Sequence, residues 1–292
     1  MKPPAFKYLA PTTVDEAVAY LAEYGYDAKP LAGGQSLIPT MNFRLAQPAV
    51  LVDLNRVQEL SYIRPAEDGG VLIGAMTRHV QVERSDLVAQ RLPLLHETVP
   101  FIAHPQIRNR GTYGGSISHA DPAAELPAIT VAHRGRVQLR STRGSRWVPA
   151  EEFFLGLFTT ALEPDEMVVE IALPALPPRT GWAFDEFSRR HGDFALVGVA
   201  AAVTLSAQGR VDEVRLVFMG VGDRPMTSAA APAVLVGQEP SDEALEEAAQ
   251  RAAQEDIDPF GDVHASAAFR RHLASVLAKR VLTRAVERAQ AR

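Results

Sequence analysis

Two glycine-pair segments, Ala32-Gly33-Gly34-Gln35-Ser36 and Gly111-Thr112-Tyr113-Gly114-Gly115-Ser116, constrain what this chain can fold into more than any other feature. Each follows a short apolar run. Glycine reaches positive φ without steric cost and lets another backbone or a ligand approach closely. Successive N–H groups in such a turn form a concave nest that favours anions. One glycine pair would mark a tight turn at a strand end. Two pairs, each with a hydroxyl residue beside it, point instead to a pyrophosphate held between two segments. The chain has no G-x-G-x-x-G opening a long helix and no G-x-x-x-x-G-K-[ST], so dinucleotide-binding Rossmann and P-loop folds are excluded.

Composition narrows the field further. A length of 292 residues suits two or three subdomains, and 47% hydrophobic with 22% charged residues describes a globular chain. The formal net charge of -5 argues against a nucleic-acid binder. The start, Met1-Lys2-Pro3-Pro4-Ala5-Phe6-Lys7, lacks the apolar core of a signal peptide, and no apolar run is long enough for a transmembrane segment, which predicts a cytoplasmic location. With no cysteine, the chain makes no disulfide, offers no thiolate nucleophile and cannot ligate an iron-sulfur cluster through cysteine.

Local patterns predict mixed α and β structure without repeats. Thr13 and Glu16 form a capping box for a helix over 14–24, with Val14, Ala17, Val18 and Leu21 on one face and Gly25 as the stop. Short apolar strands are expected at 28–32, 49–54 and 71–75, then two short helices between 80 and 103, broken by Pro93 and Pro100. Asp121 before Pro122 reads as the N-cap of another helix. A proline cluster at 174–178 marks a domain boundary. Beyond it, apolar runs at 184–189, 195–206 and 211–221 read as a β-meander, and helices are expected at 242–253 and 267–290. In the last of these Phe269, Leu273, Val276, Leu277 and Val281 form an apolar stripe, while Arg270, Arg271 and Arg280 read as a solvated face or a subunit contact.

Residues 29–39 and 105–116 resemble the FAD-binding medium subunit of molybdenum hydroxylases, the family of carbon monoxide dehydrogenase and xanthine dehydrogenase. Residues 121–127 and 190–195 and the basic carboxy-terminal helix carry the same resemblance, which spans nearly the whole chain. It implies an α+β fold: a two-lobed FAD-binding domain of the vanillyl-alcohol-oxidase (PCMH) type over 1–176, then a C-terminal α+β domain with an antiparallel sheet over 177–292. It also implies FAD on this chain, iron-sulfur clusters on a small subunit and the molybdenum cofactor on a molybdopterin-binding large subunit, assembled as a dimer of heterotrimers. Electrons would pass from those clusters through FAD to an external acceptor. A self-sufficient flavin-dependent oxidase or dehydrogenase is the alternative, and it would need acid-base groups that the sequence does not display.

On this resemblance Ala32, Gly33, Gly34, Gln35 and Ser36 form the first FAD turn, and Thr112, Tyr113, Gly114, Gly115 and Ser116 the second. Tyr113 stands where isoleucine or leucine is common, and Ser116 replaces a frequent asparagine. Asp121 is fully explained as a helix cap, and the resemblance also places an acidic group there near the flavin; both readings stand. Asp193 and Phe194 match a segment that approaches the isoalloxazine ring from the third domain, although an aromatic at a strand start is also common core. Arg108 and Arg110 could neutralise a phosphate or form ion pairs that hold a loop, and the structural role is favoured because the nests already satisfy the anion. His104 and His119 lack metal-ligand spacing, so no metal site is expected. No Ser-His-Asp set or carboxylate pair is evident, and no residue is assigned a catalytic role.

Overall fold

A computed structural model describes residues 2–292. The first lobe runs through β1 (Lys7–Leu9), α1 (Val14–Tyr24), β2 (Ala28–Leu31), α2 (Leu37–Asn42) and β3 (Val50–Asp53). Its three strands are parallel in the order β1-β3-β2. The Thr13 hydroxyl caps α1 by accepting the Glu16 N–H, but the Glu16 carboxylate reaches back to the Thr12 N–H at 2.7 Å, one residue earlier than a standard capping box. Ala17, Val18 and Leu21 pack under β3, and Gly25 ends the helix at φ 52°.

The second lobe contains β4 (Ile63–Pro65), β5 (Val71–Gly74), α3 (His79–Glu83), α4 (Asp86–Arg91), α5 (Pro93–Thr98), α6 (Pro105–Arg108), α7 (Tyr113–His119), α8 (Glu125–Ala132), β6 (Arg136–Ser141), β7 (Gly144–Pro149), α9 (Ala150–Phe153), the hairpin β8 (Phe154–Gly156) and β9 (Thr159–Thr160), and β10 (Met167–Leu173). Five of these strands form an antiparallel sheet in the order β4-β5-β10-β6-β7. Two expectations change here. Residues 79–98 fold into three short helices, because the Ser85 hydroxyl caps a new start by accepting the Val88 N–H and Pro93 begins another. The helix expected at Asp121 begins instead at Glu125: the Asp121 carboxylate accepts the Ala123 N–H within a single turn, and the Pro122 carbonyl accepts from Gly220 of the third domain.

The remainder consists of β11 (Thr180–Ser188), β12 (Ala195–Leu205), β13 (Val211–Met219), β14 (Met226–Thr227), α10 (Ala230–Leu235), α11 (Asp242–Glu255) and α12 (Ala267–Gln290). The four strands form an antiparallel meander in sequence order. One sheet face packs on α11 and α12. The other sends Phe184, Ala200, Val217 and Met219 into the core of the second lobe, joining the two units through shared apolar burial.

The apolar stripe expected on α12 is displaced. Phe269 and Val276 are exposed, while Ala274, Leu277, Ala278, Val281 and Ala285 face the sheet. The helix lies so close to β11 that a Cβ on Gly181 would sit 1.9 Å from the Ala285 carbonyl oxygen, so small residues occupy the seam. Arg270 is not solvated. It is buried and donates to the carbonyls of Leu196 and Gly220 and to Asp262. Arg271 binds the Ala253 carbonyl, and Arg280 pairs with Asp185. Among the described residues no helix is long and apolar enough to cross a membrane.

Candidate functional site

The first glycine turn joins the end of β2 to α2. Gly34 takes φ 73°, in the left-handed region, and supplies the reversal that a nest requires. Among the described residues, no protein acceptor receives the backbone N–H of Gly33, Gly34, Gln35 or Ser36. The Gln35 side-chain amide braces the turn by donating to the Gly33 carbonyl at 2.9 Å. The Ser36 carbonyl accepts the Thr40 N–H at 3.1 Å, and the Ser36 hydroxyl makes no protein hydrogen bond. Four adjacent donors without acceptors, in a partly exposed turn, match the chemistry of a pyrophosphate.

The second turn is built differently. Thr112 caps α7, its hydroxyl accepting the Gly115 N–H at 3.1 Å. Tyr113 and Gly114 donate to the carbonyls of Thr77 and Ala75 at 2.9 Å each, and Ser116 donates to the Thr112 carbonyl. Most of its N–H groups are therefore already paired. Its glycines serve close packing: a Cβ on Gly114 would lie 2.5 Å from the Ala75 Cβ, and one on Gly115 would lie 2.7 Å from the Thr112 Oγ1. Tyr113 turns its ring into the core, fully buried, with its hydroxyl 3.1 Å from the Thr130 Oγ1. The Ser116 hydroxyl has no protein partner and is partly exposed.

The fold brings the two turns into contact. A Cβ on Gly33 would lie 2.4 Å from the Arg110 carbonyl oxygen and 2.8 Å from the Gly111 Cα, and the Ala32 Cβ would lie 3.5 Å from a Cβ on Gly115. Gly33 is thus required by backbone approach between lobes. His79 supports the second turn from below, its Nε2 3.0 Å from the Thr112 carbonyl. Burial pushes the His79 pKa down to about 4, so the ring is neutral and Nε2 carries the proton it donates. Arg108 is buried, pairs with Glu83 at 2.8 Å and donates to the Ile102 carbonyl, as a loop-holding residue should.

Several predicted residues lie beside the turns rather than in them. His119, at the end of α7, stacks on Phe158 with ring centroids 5.0 Å apart. His104 faces His191 at 6.2 Å, and the loop carrying Gly192 closes over His104. Phe194, at 66% exposed, stands on that same loop.

Sequence reading missed two carboxyls, one buried and one half-buried, whose charges are disfavoured by the fold. Glu125 is buried at the start of α8 and Glu186 is half-buried on β11, and among the described residues the Glu186 Oε2 has no hydrogen-bond partner. Burial, then the charge of Glu125, raises the Glu186 pKa to about 8. Burial raises Glu125 to about 7, with Asp121 adding to the effect. The two residues are 61 positions apart in sequence, so only the tertiary fold reveals the pair.

The two lobes with an unpaired donor turn at their junction, followed by an α+β C-terminal portion, define a protein built to hold a phosphate-bearing ligand. Residues 4–176 match the model of the FAD binding domain in molybdopterin dehydrogenase, and residues 182–285 match the CO dehydrogenase flavoprotein C-terminal domain. The chain belongs to the family of FAD-binding medium subunits of molybdenum hydroxylases. It is 43% identical over 290 residues to the 6-hydroxypseudooxynicotine dehydrogenase complex subunit alpha of Paenarthrobacter nicotinovorans, covering 99% of this chain and 97% of that one. It is 41% identical to the carbon monoxide dehydrogenase medium chain of Hydrogenophaga pseudoflava, with 98% of both chains covered. The solved structure of carbon monoxide dehydrogenase from that organism superposes with a TM-score of 0.95 over 99% of each chain, at 42% identity. Quinoline 2-oxidoreductase from Pseudomonas putida 86 superposes at 0.94 and 37% identity, with 99% of each chain covered.

Proposed function

We propose that this chain holds one FAD in the cradle between its two lobes and relays electrons from an iron-sulfur small subunit to an external acceptor. The observation that carries this reading is the run of four backbone donors, Gly33 to Ser36, with no acceptor among the described residues. These donors, with the free hydroxyls of Ser36 and Ser116, would hold the diphosphate and its neighbouring hydroxyls. Ala32, Gly33, Thr112, Gly114 and Gly115 shape the cradle, whereas Tyr113 contributes by filling the core beneath it. Asp121 stays a candidate for contact with the ribityl hydroxyls or ring, because its second carboxylate oxygen has no partner in the turn it caps.

When bound, FAD supplies redox chemistry that no side chain here possesses. The chain's own residues would bind and orient the cofactor. Since the chain lacks cysteine, thiolate-held clusters must reside on a partner. The same reading assigns the molybdenum cofactor and the organic substrate to a large subunit, groups the three chains as a dimer of heterotrimers, and places them in the cytoplasm. It also divides the chain at 176 and 177, a division supported by the proline-rich connection between β10 and β11.

Purification of the full chain with its partners, followed by acid release and chromatography, tests the cofactor. One intact, non-covalent FAD per chain is the expected result. Recovery of NAD, FMN alone or no nucleotide would refute the reading.

A further inference from the structure

A polar chain crosses from one lobe to the other beside the two turns. Asn55, just after β3, donates its Nδ2 to the Ala32 carbonyl at 3.0 Å and to the Asp53 Oδ1 at 2.5 Å. Its Oδ1 accepts from the Arg78 Nη2 at 2.5 Å. The Arg78 Nη1 donates to the carbonyl of Arg110. That carbonyl oxygen is the one a Cβ on Gly33 would strike. Tyr8, from β1, donates to the other Asp53 oxygen at 2.5 Å. Burial works against the Asp53 charge, but the bonds from Tyr8 and Asn55 outweigh it and hold the carboxyl below its usual pKa.

We infer that Arg78 and Asn55 form a clasp that sets the spacing of the two glycine turns and are positioning residues for the cofactor. Every contact in the chain has one donor and one acceptor, which fixes the Asn55 amide in a single orientation. The first turn is tied through its Ala32 carbonyl and the second through its Arg110 carbonyl, so among the described residues the polar bridge between them runs through one guanidinium and one amide. A guanidinium suits this place because it stays charged when half buried and presents two donors in a rigid fork. Its positive charge also offsets two carbonyl oxygens beside a site for an anion. Without the bridge, the lobes meet near the turns through the close backbone approach of Gly33 to Arg110 and Gly111 and through the packing of Met76, Met167 and Val169 against the first lobe.

The inference rests on the FAD reading, and the test separates the two. The deflavinated full chain, native and as R78K, R78M, N55A and the R78M/N55A double variant, is titrated with FAD at 10 °C after far-UV spectra establish that each is folded. R78M and N55A should each bind FAD about tenfold more weakly, equivalent to about 1.4 kcal/mol. The double variant should bind no more weakly than either single, since both break one bridge. R78K keeps the charge but not the fork, and should remain more than about threefold weaker than native. Bound flavin should show lower fluorescence anisotropy in every variant. Native affinity in N55A or R78M, additive losses, or an R78K within about threefold of native would overturn the inference. If R78M does not fold, the R78K and N55A comparison decides alone. A native chain that binds no FAD would instead refute the cofactor reading itself.

Discussion

Replacing Gly33 by alanine should damage the cradle more than any other single methyl group. The new Cβ would stand 2.4 Å from the Arg110 oxygen, 2.8 Å from the Gly111 Cα and 3.0 Å from the Arg110 carbon. Comfortable carbon contacts lie at roughly 3.5 Å, so the turns must separate by about 1 Å. Every obstructing atom is backbone, and no rotamer change relieves the clash. Overpacking of this kind costs about 1–3 kcal/mol in stability. A cradle opened to that extent should lose FAD affinity by about tenfold to a hundredfold. Gly34→Ala differs in kind: its cost of about 1–2 kcal/mol comes from φ 73°, and its nearest neighbours are movable side chains of Ile38 and Leu31. Isothermal titration with FAD and chemical denaturation of the deflavinated chain separate these effects. The geometry predicts that Gly33→Ala loses more affinity than Gly34→Ala for an equal loss of stability. Native affinity in Gly33→Ala would show that the two turns do not touch as described.

Glu125 and Glu186 make stability depend on pH. Because the folded-state pKa values of Glu125 and Glu186 are raised to about 7 and about 8, their stabilising share is full below the unfolded value near 4.5 and is lost as pH rises through those values. Denaturation at pH 6 and pH 9 should show the native chain weaker at pH 9, and Glu125→Gln should recover up to about 3 kcal/mol there; a flat native profile refutes this. Asp121, Asp185 and Glu97 are the other acidic groups near this interface, and Asp185 and Glu97 are already paired with arginines of α12. Arg270→Met should destabilise the C-terminal domain by about 2–3 kcal/mol by leaving the Leu196 and Gly220 carbonyls without their donor, as urea unfolding followed by tryptophan fluorescence would report. Tyr113→Phe should leave FAD affinity within about twofold of native, since the hydroxyl points to Thr130; a larger change would place that ring at the flavin.

Features governed by neighbouring residues were legible in the sequence. The capped helix at Val14–Tyr24, the meander strands and the long helix at Ala267–Gln290 all follow from periodicity and caps. Both glycine turns stood out, yet their similarity in sequence hid a difference in role. Whether a glycine N–H is free or paired depends on partners such as Ala75 and Thr77, which the segment itself does not contain. Arg270 was misread for the same reason, since its acceptors are carbonyls on other elements. Local pattern placed a helix at Asp121, but a tertiary hydrogen bond from Gly220 drew the Pro122 carbonyl away. Asn55 and Arg78 carried no motif at all.

On the function proposed above, this chain relays electrons delivered by partner subunits and does not itself oxidise the organic substrate. Rapid mixing of that substrate with the complete complex, and separately with the isolated FAD-loaded chain, distinguishes the two roles through the visible absorbance of the flavin. In the complex the flavin should bleach together with the iron-sulfur bands, and in the isolated chain it should stay oxidised. Bleaching of the isolated chain by the substrate would contradict the account and make this protein a self-sufficient flavin dehydrogenase.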